Sequence, residues 1–344
     1  MRAVLFHEHG PADTLQLVTD QPIPEPGPGE VRIHVKAAAL NYLDIWVRNG
    51  WPGIRLAYPH IPGADAAGVI DAVGDGVSGW SAGDRVGIDP TLSCGQCSFC
   101  RSGWQNRCVD FAILGEHVPG TYRDYFTVPA RNLIGLPEHV SFAESAAASL
   151  VFVTAWHSLI TRGGLRPGET VLVVGAGGGV NTASIQIAKL VGCTVYVVGS
   201  TEDKLAQARE LGADVTILRD ADGGWSRAVY QLTAKRGVDV VVDNVGEATF
   251  AHSLRALARG GRLLTVGNTS GPQVALDNRF MFGKHLSIIG SMMGPHQDYV
   301  TVMNLLFKGR LRAVIGARYP LEAAPDAQRA LESGQHFGKI VLEL

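Results

Sequence analysis

The chain has 344 residues, of which 46% are hydrophobic and 18% are charged, and its formal net charge at pH 7 is −2. This length exceeds what one ordinary hydrophobic core supports, so we expect two domains. The near-neutral charge argues against a nucleic-acid or anionic-membrane partner. The first residues are typical of a strand rather than of a leader peptide, and the most apolar stretch, 146–156, is too short to span a bilayer. We therefore expect a cytoplasmic protein.

The first part of the chain is predicted to be a small, mostly antiparallel β domain. Residues 31–36 alternate between apolar and polar side chains, as in a half-buried strand. Turn-rich stretches at 74–76 and 81–85 separate further short β-runs, and no long helical period appears before residue 141. We predict that residues 1–150 form this domain and that residues 290–344, with a helix and a last strand, complete it.

Four cysteines of this first part lie close together in the order Cys94-x2-Cys97-x2-Cys100-x7-Cys108. Four thiolates on a short loop satisfy a closed tetrahedral Zn²⁺ site, and such a site leaves no position open for substrate. An iron–sulfur cluster is the competing interpretation, and disulfides are disfavoured in the cytoplasm. We predict one structural Zn²⁺ bound by these four cysteines.

The pattern changes near residue 141 to an alternation of apolar strands and helices. The predicted strands are 170–174, 195–198, 238–242 and 262–266, and the predicted helices include 142–158, 202–211 and 250–258. Apolar strands between helices are typical of a doubly wound parallel sheet with right-handed crossovers. We predict such a Rossmann domain over residues 151–289.

A glycine-rich turn at 175–179 follows the first of these strands and precedes a helix. Its glycines, Gly175, Gly177, Gly178 and Gly179, allow a pyrophosphate to approach the backbone, and the helix N-terminus offers free N–H groups to it. A strict G-x-G-x-x-G pattern places Val180 at the third glycine, and a register one residue longer places Asn181 there. A plain tight turn is the alternative. The strand–turn–helix context favours a nicotinamide-dinucleotide site and therefore an NAD(P)-dependent oxidoreductase.

The tip of the second strand carries Ser200 and Thr201 and no acid. An NAD site usually has a carboxylate there for the ribose 2′-hydroxyl. Here Lys204 lies one helical turn on and Arg219 follows the next strand, so two cations are available for a 2′-phosphate. We predict NADP(H), with NAD(H) as the alternative because Glu202 is near and Lys204 also fits a solvated helix position.

Together these features resemble the medium-chain dehydrogenase/reductase superfamily. The resemblance includes residues 62–70, 83–86, 120–125 and 211–214 and the closing segment 338–342, and it implies a Rossmann domain plus a GroES-like β domain. The zinc alcohol dehydrogenases of this superfamily hold a catalytic zinc at positions that match Asn41, Ala64 and Leu150 here. None of these three is a usual Zn²⁺ ligand, and the position of the proton-relaying hydroxyl is Leu43. The resemblance therefore argues against zinc-activated alcohol oxidation.

Residues 41–50 instead resemble the quinone oxidoreductase branch, which has Asn-x-x-Asp-x-x-x-Arg-x-Gly at this place. That resemblance implies reduction of quinones or activated C=C bonds, such as enones and enoyl thioesters, with NADPH and without a catalytic metal. Such acceptors need only a positioned hydride donor and a hydrogen bond to the carbonyl. The alternatives are an alcohol dehydrogenase with atypical zinc ligands and a non-catalytic NADP-binding sensor.

The resemblance also assigns roles to individual residues. Asn41 lies beside the nicotinamide, Thr154 contacts its ring, and Tyr42 is the nearest candidate proton donor. Alternative roles are a turn-satisfying amide for Asn41, a helix hydroxyl for Thr154, and packing or a pyrophosphate contact for Tyr42. The remaining expected cofactor contacts are Asn244, Val266, Gly267 and Lys339. We expect a small-molecule substrate and a homodimer or homotetramer.

Overall fold

The computed structural model describes residues 1–220 and 224–344 and divides into two compact units. The outer unit comprises Met1–Leu150 and Gly294–Leu344, and the central unit comprises Val151–Met293. The outer unit thus combines the first and last segments of the sequence, and the central unit is the segment between them in sequence. Both names refer to sequence order.

The strands are named here in chain order. They are β1 (Ala3–Leu5), β2 (Gln16–Val18), β3 (Glu30–Ala39), β4 (Asp65–Val73), β5 (Arg85–Ile88), β6 (Thr91–Leu92), β7 (Ala112–Ile113), β8 (Tyr125–Pro129), β9 (Leu133–Gly135), β10 (Thr170–Val174), β11 (Thr194–Gly199), β12 (Val215–Leu218), β13 (Val238–Asp243), β14 (Leu257–Thr265), β15 (Ser287–Gly290), β16 (Ile315–Pro320) and β17 (Lys339–Glu343).

The α-helices are named in the same way. They are α1 (Tyr42–Asn49), α2 (Ser98–Arg101), α3 (Phe142–Trp156), α4 (Gly179–Val191), α5 (Glu202–Glu210), α6 (Trp225–Leu232), α7 (Phe250–Ala256), α8 (Asn278–Lys284), α9 (His296–Phe307) and α10 (Ala324–Glu332).

The outer unit is built on a mostly antiparallel sheet in the order β16-β17-β3-β4-β5-β9, with β8 also paired to β3. Strand β3 shows the predicted alternation, since Val31, Ile33 and Val35 are buried between less buried polar neighbours. Two of its last residues, Ala37 and Ala39, pack in one cluster with alanines of α3. Small side chains on both elements allow the helix to lie close to the sheet.

The central unit is a six-stranded parallel sheet in the order β12-β11-β10-β13-β14-β15. Numbered within the unit, this order is 3-2-1-4-5-6, that of a dinucleotide-binding Rossmann sheet. The predicted fold class, a doubly wound parallel sheet plus a GroES-like β domain, is confirmed. The strand order reverses between β10 and β13, and ligands of such sheets bind where strand ends meet at this reversal.

The largest differences from the predicted element boundaries concern α7, β14 and α3. Helix α7 ends at Ala256 and β14 begins at Leu257, five residues before the predicted strand, because Leu257 already pairs with Val238. Helix α3 continues as a π-helical segment over His157–Arg162, which lengthens the predicted helix. The combined helix, Phe142–Arg162, is long and apolar enough to cross a membrane, but 83% of its most apolar window is buried inside the protein. This burial is that of a core helix.

Candidate active site

The glycine turn connects β10 to α4 at the strand-order reversal of the central unit. Gly175 has φ +100°, a conformation that favours glycine, and its N–H donates to the Val198 carbonyl of β11. Gly177 is buried and Gly178 is exposed at the N-cap of α4, while Gly179 and Val180 are half-buried in its first turn. That first turn contains no acidic residue, so no carboxylate of its own competes with an anion for its N–H groups.

Asn181 occupies the place of the missing third glycine and is buried. Its Nδ2 donates to the carbonyls of Val174 (3.0 Å) and Gly175 (2.8 Å). A Cβ added at Gly175 would lie 2.8 Å from that nitrogen, so the turn tolerates no side chain there. In the usual pattern, a glycine at this place lets the helix pack closely against the strand. Here the Asn181 amide joins the helix to the strand end by hydrogen bonds instead.

The neighbouring strand ends carry the predicted nicotinamide-side residues. Asn244 directly follows β13, and its Oδ1 accepts from the N–H of Val266, one residue beyond β14. Gly267 packs against Asn244, because an added Cβ would lie 3.2 Å from the Asn244 carbonyl oxygen. These three residues are therefore brought together at one edge of the sheet.

Sequence reasoning missed Asp243, the fully buried last residue of β13. Its carboxylate accepts hydrogen bonds from the hydroxyls of Thr249 and Ser253 and from the N–H groups of Val245 and Gly246. This carboxylate holds the turn after β13 in place. Its position directly after an apolar strand could have indicated this role. A carboxylate at the end of a buried strand needs hydrogen-bond partners, because its burial is otherwise costly.

The tip of β11 is the predicted site of nucleotide choice. Thr201 caps α5 through its hydroxyl, which accepts from the Lys204 N–H at 3.3 Å. The Arg219 N–H donates to the Gly199 carbonyl at 2.7 Å, so Arg219 directly adjoins the tip, where Ser200 is exposed. Glu202 lies 3.6 Å from Arg209 of its own helix. Lys204 and Arg219 therefore flank the tip, and Glu202 has a basic neighbour in Arg209.

Thr154, also in the central unit, lies on α3 and is buried. Its hydroxyl donates to the sulfur of Met293 at 3.8 Å. Met293 has a positive φ of 50°, an uncommon conformation for a methionine. A contact between Thr154 and the nicotinamide stays a prediction.

In the outer unit, Asn41 is the N-cap of α1 and forms a capping box with Asp44. The Asp44 carboxylate accepts from the Asn41 N–H (2.8 Å) and from the Tyr122 hydroxyl (3.0 Å). Tyr42, the next helical residue, is half-buried, and its ring packs edge-on against Trp46 at 5.4 Å. The capping contact with Asp44 uses the Asn41 main-chain N–H; the turn-satisfying role of its side-chain amide and the catalytic roles of Asn41 and Tyr42 stay predictions.

The Asn41 side chain belongs to a second group that joins residues far apart in sequence. The ammonium nitrogen of Lys339, on β17, donates to Asn41 Oδ1 at 2.5 Å and to Asp65 Oδ2 at 3.0 Å. Asp65 also accepts from Asn41 Nδ2 and, through its other oxygen, from the Leu150 N–H, both at 2.8 Å. Lys339 and Asp65 are buried, with side chains 5% and 0% exposed. We call Asn41, Asp65 and Lys339 the buried ion-pair group.

Two of the three hydrogens on the Lys339 ammonium are therefore used within the outer unit. Its predicted role as a cofactor ligand stays a prediction that these contacts weigh against. Pairing of Val341 with Ala39 between β17 and β3 is what brings Lys339 to Asn41. No local pattern in the sequence contains this information.

Burial raises the pKa of Asp44 to about 6. Because this pKa lies above that of an unfolded aspartate, Asp44 contributes stability below about pH 4 that is lost as the pH rises through about 6. Asp44→Asn keeps an oxygen acceptor and removes the titration. We expect the wild-type chain to lose about 2 kcal/mol of unfolding free energy relative to this variant between pH 4 and pH 7. Denaturant unfolding of both proteins at several pH values measures this difference, and a pH-independent difference would contradict the assignment.

The four clustered cysteines lie in the outer unit with all sulfurs within 4.8 Å of one another. Sulfurs on a tetrahedral Zn²⁺ with bonds of about 2.3 Å are separated by about 3.8 Å. The observed sulfur separations are 3.5 Å for Cys94–Cys108 and 3.9 Å for Cys97–Cys108 and Cys94–Cys100. Main-chain N–H groups also donate to these sulfurs. Hydrogen bonds from the N–H groups of Cys100 and Val109 lower the pKa of the Cys97 thiol to about 6. The arrangement fits a single ion. A multi-iron cluster requires more widely spaced thiolates.

A phosphate-type glycine turn at the reversal point of a 3-2-1-4-5-6 sheet is the feature of a nicotinamide-dinucleotide enzyme. Together with a separate tetrathiolate loop, it defines the class of NAD(P)-dependent dehydrogenases and reductases. Comparison with known proteins agrees. The family described as "Alcohol dehydrogenase GroES-like domain" matches residues 27–138, and the family described as "Zinc-binding dehydrogenase" matches residues 179–308.

Three similar proteins span essentially the whole chain. Acryloyl-coenzyme A reductase of Metallosphaera sedula is 31% identical over 99% of both chains, and quinone oxidoreductase of Rattus norvegicus is 30% identical over 100% of this chain and 98% of its own. A solved structure of an NAD-dependent alcohol dehydrogenase is 44% identical, with a TM-score of 0.96 and full coverage of both chains. The chain belongs to the zinc-type alcohol dehydrogenase family of the medium-chain dehydrogenase/reductase superfamily, and it is an NAD(P)-dependent oxidoreductase.

Proposed function

We propose that this protein is an NADPH-dependent reductase of quinones or activated C=C bonds that works without a catalytic zinc. The buried ion-pair group carries this proposal. The three positions that match the catalytic zinc ligands of alcohol dehydrogenases are Asn41, Ala64 and Leu150. Around them the structure has the Lys339 ammonium group, bonded to Asn41 and to Asp65, and the Leu150 main chain also bonds to Asp65.

A Zn²⁺ ion at this place would meet a fixed positive charge and neither thiolate nor imidazole. A zinc ion needs three or more His, Cys, Asp or Glu side chains whose ligand atoms lie close together. Among the described residues, the four clustered cysteines form such a group, and the residues around Asn41 do not. The donor set around Asn41 is therefore a poor match for catalytic zinc. A carbonyl-conjugated alkene or a quinone accepts a hydride without such activation when donor and acceptor are positioned.

In this proposal, residues of the central unit bind the nucleotide. The glycine turn and the first turn of α4 receive the pyrophosphate, and Asn244, Val266 and Gly267 receive the nicotinamide side. NADPH, when bound, supplies the hydride. Asn41 and Thr154 orient the reactants, and solvent or Tyr42 supplies the proton that completes the reduction.

Metal analysis and a substrate panel test the proposal together. We expect one zinc per chain and oxidation of NADPH with quinones, enones or enoyl-CoA thioesters, but not reduction of NAD(P)⁺ by simple alcohols. Two zinc ions per chain with alcohol oxidation would establish the alcohol dehydrogenase reading, which the 44%-identical structure favours by its name. Tight NADPH binding without turnover of any panel member would establish the non-catalytic sensor.

The choice of NADP(H) rests on Lys204 and Arg219 at the tip of β11. Lys204→Ala is expected to weaken NADPH binding by about 10-fold and NADH binding by less than about 2-fold, since a charge-assisted hydrogen bond to a 2′-phosphate is worth about 1.5–3 kcal/mol. Fluorescence titration of both nucleotides measures the two affinities. Lys189→Ala is the matched control, because Lys189 lies in the last turn of α4 and bonds to Asp214. Unchanged NADPH affinity in Lys204→Ala would remove Lys204 from the site.

The four cysteines are proposed to hold one structural Zn²⁺, since their closed tetrathiolate arrangement leaves no coordination position for substrate. Its role is then to fold the loop around α2. A cytoplasmic location and a small-molecule substrate complete the proposal.

We also propose a homodimer or homotetramer formed through the central unit. In the described part of that unit, β15 is an edge strand with β14 as its neighbour. Ile288 on this strand and Met292 just after it are exposed apolar side chains. An unpaired, apolar strand edge favours association with another chain. Light scattering of the wild type and of Ile288→Lys tests this, with dissociation expected for the variant.

A further inference from the structure

The carboxyl ends of three neighbouring strands in the central unit are linked by a chain of side-chain amides. It starts at the carbonyls of Val174 and Gly175, passes through Asn181 and Asn244, and ends at the N–H of Val266. The central link is a hydrogen bond from Asn244 Nδ2 to Asn181 Oδ1 at 3.0 Å. We call Asn181 and Asn244 the amide relay.

The direction of these hydrogen bonds follows from the main chain at the two ends. Carbonyl groups only accept, so Asn181 must turn its NH₂ group toward Val174 and Gly175. Its oxygen then faces Asn244, which must donate there with its own NH₂ group. That leaves the Asn244 oxygen to accept from Val266, whose N–H only donates. Each amide therefore has one favourable orientation.

We propose that the amide relay is a positioning device which couples the glycine turn to Val266 and thereby sets the nicotinamide half of the bound dinucleotide relative to its pyrophosphate. Asn181 and Asn244 are positioning residues in this inference, which rests on the proposed binding of NAD(P)(H) to the central unit. The glycine turn is the pyrophosphate side, and Val266 with Gly267 is the nicotinamide side.

Two further observations support a positioning role over simple packing. The Asn181 nitrogen lies beneath Gly175, where an added Cβ would meet it at 2.8 Å, so the relay directly supports the turn at its positive-φ glycine. The turn after β13 is held independently by the Asp243 carboxylate through Val245, Gly246, Thr249 and Ser253. Asn244 is thus not needed to fold its own turn, and its amide remains for the links to Asn181 and Val266.

The test compares nucleotide fragments in variants of the full-length protein. Asn244→Ala breaks the link to Val266 and leaves the Asn181 bonds to the glycine turn. We expect it to weaken NADPH binding by about 5-fold to 10-fold, the worth of one or two hydrogen bonds, and to leave the affinity for 2′-phospho-ADP-ribose within about 2-fold. The emission of bound reduced nicotinamide is expected to shift, because the ring is less well held.

Asn181→Ala removes the support of the glycine turn as well, so both NADPH and 2′-phospho-ADP-ribose are expected to bind more weakly. The double variant is expected to match Asn181→Ala rather than the product of the two single effects, since both residues act through one chain of bonds. Ser184→Ala is the control on α4, because this buried hydroxyl bonds to Val180 within the helix. We expect wild-type affinities for it.

The outcomes separate this inference from the proposed function. If the wild type binds no NADPH, the proposed function fails. If the wild type binds NADPH and Asn244→Ala binds it equally well with unchanged nicotinamide emission, the relay is overturned. Independent effects of the two substitutions in the double variant, or equal losses for the two ligands in Asn244→Ala, would also overturn it. Should Asn181→Ala fail to fold, Asn244→Ala alone decides.

Discussion

Lys339→Met is expected to lower the unfolding free energy by about 3–5 kcal/mol, because it leaves the Asp65 carboxylate buried without its ion partner. Asp65 is fully buried, and its remaining donors are Asn41 Nδ2 and the Leu150 N–H. Two neutral donors stabilise a buried carboxylate less than an ammonium group does. Denaturant unfolding at pH 7 measures the loss.

A surface pair on the same sheet provides the control. Arg318 on β16 pairs with Glu343 on β17, and both side chains are about half exposed. Arg318→Met is expected to cost less than about 1 kcal/mol, since solvent screens such a pair. Adding Asp65→Asn to Lys339→Met removes the stranded charge and is expected to restore most of the lost stability. A small loss in Lys339→Met, similar to that in Arg318→Met, would show that the ion pair is not buried as described.

Cys97→Ser is expected to reduce the zinc content from about one ion per chain to nearly none, because a closed tetrahedral site loses one of its four thiolates. Cys97 also accepts the N–H of Cys100 and caps α2, so the loop loses its metal and a helix cap together. We expect the melting temperature to fall by roughly 4 °C, which corresponds to about 3 kcal/mol for a protein of this size. Elemental analysis and thermal unfolding measure the two effects.

Cys193→Ser is the matched control for the loss of a thiol. Cys193 is a buried cysteine of the central unit whose sulfur donates to the Arg166 carbonyl, a bond that a serine hydroxyl can also make. Its zinc content is expected to stay that of the wild type. Equal zinc in Cys97→Ser and in the wild type would refute the tetrathiolate site.

The features that were predictable from sequence are those encoded by neighbouring residues. The apolar run of β10 followed by the glycine turn and α4 was predicted with its strand bounds, since strand, turn and helix each follow from local residue types. The spacing of Cys94, Cys97, Cys100 and Cys108 likewise places four sulfurs on one loop whatever the rest of the chain does. Where tertiary pairing sets an element boundary, the prediction was wrong: the strand expected from residue 262 begins at Leu257, because this residue already pairs with β13.

The residues that give the site its character were not predictable in this way. Asn41 was expected beside the nicotinamide and Lys339 among the cofactor ligands, yet the structure bonds each to the other and to Asp65. Asn181 was noted as a departure from a glycine pattern, whereas the structure shows its amide bonded to the strand end beneath that turn.

Local residue patterns were thus sufficient to predict the glycine turn and the cysteine loop, and the family resemblance pointed to Asn41, Ala64 and Leu150 as the positions that match the catalytic zinc ligands of alcohol dehydrogenases. Tertiary structure decided what stands at those positions instead. Lys339 is 274 residues from Asp65 and 298 from Asn41, and only the pairing of β17 with β3 brings them together. The energy of a buried charge depends on its solvent exclusion and on the few atoms that touch it, and neither quantity exists before the chain has folded.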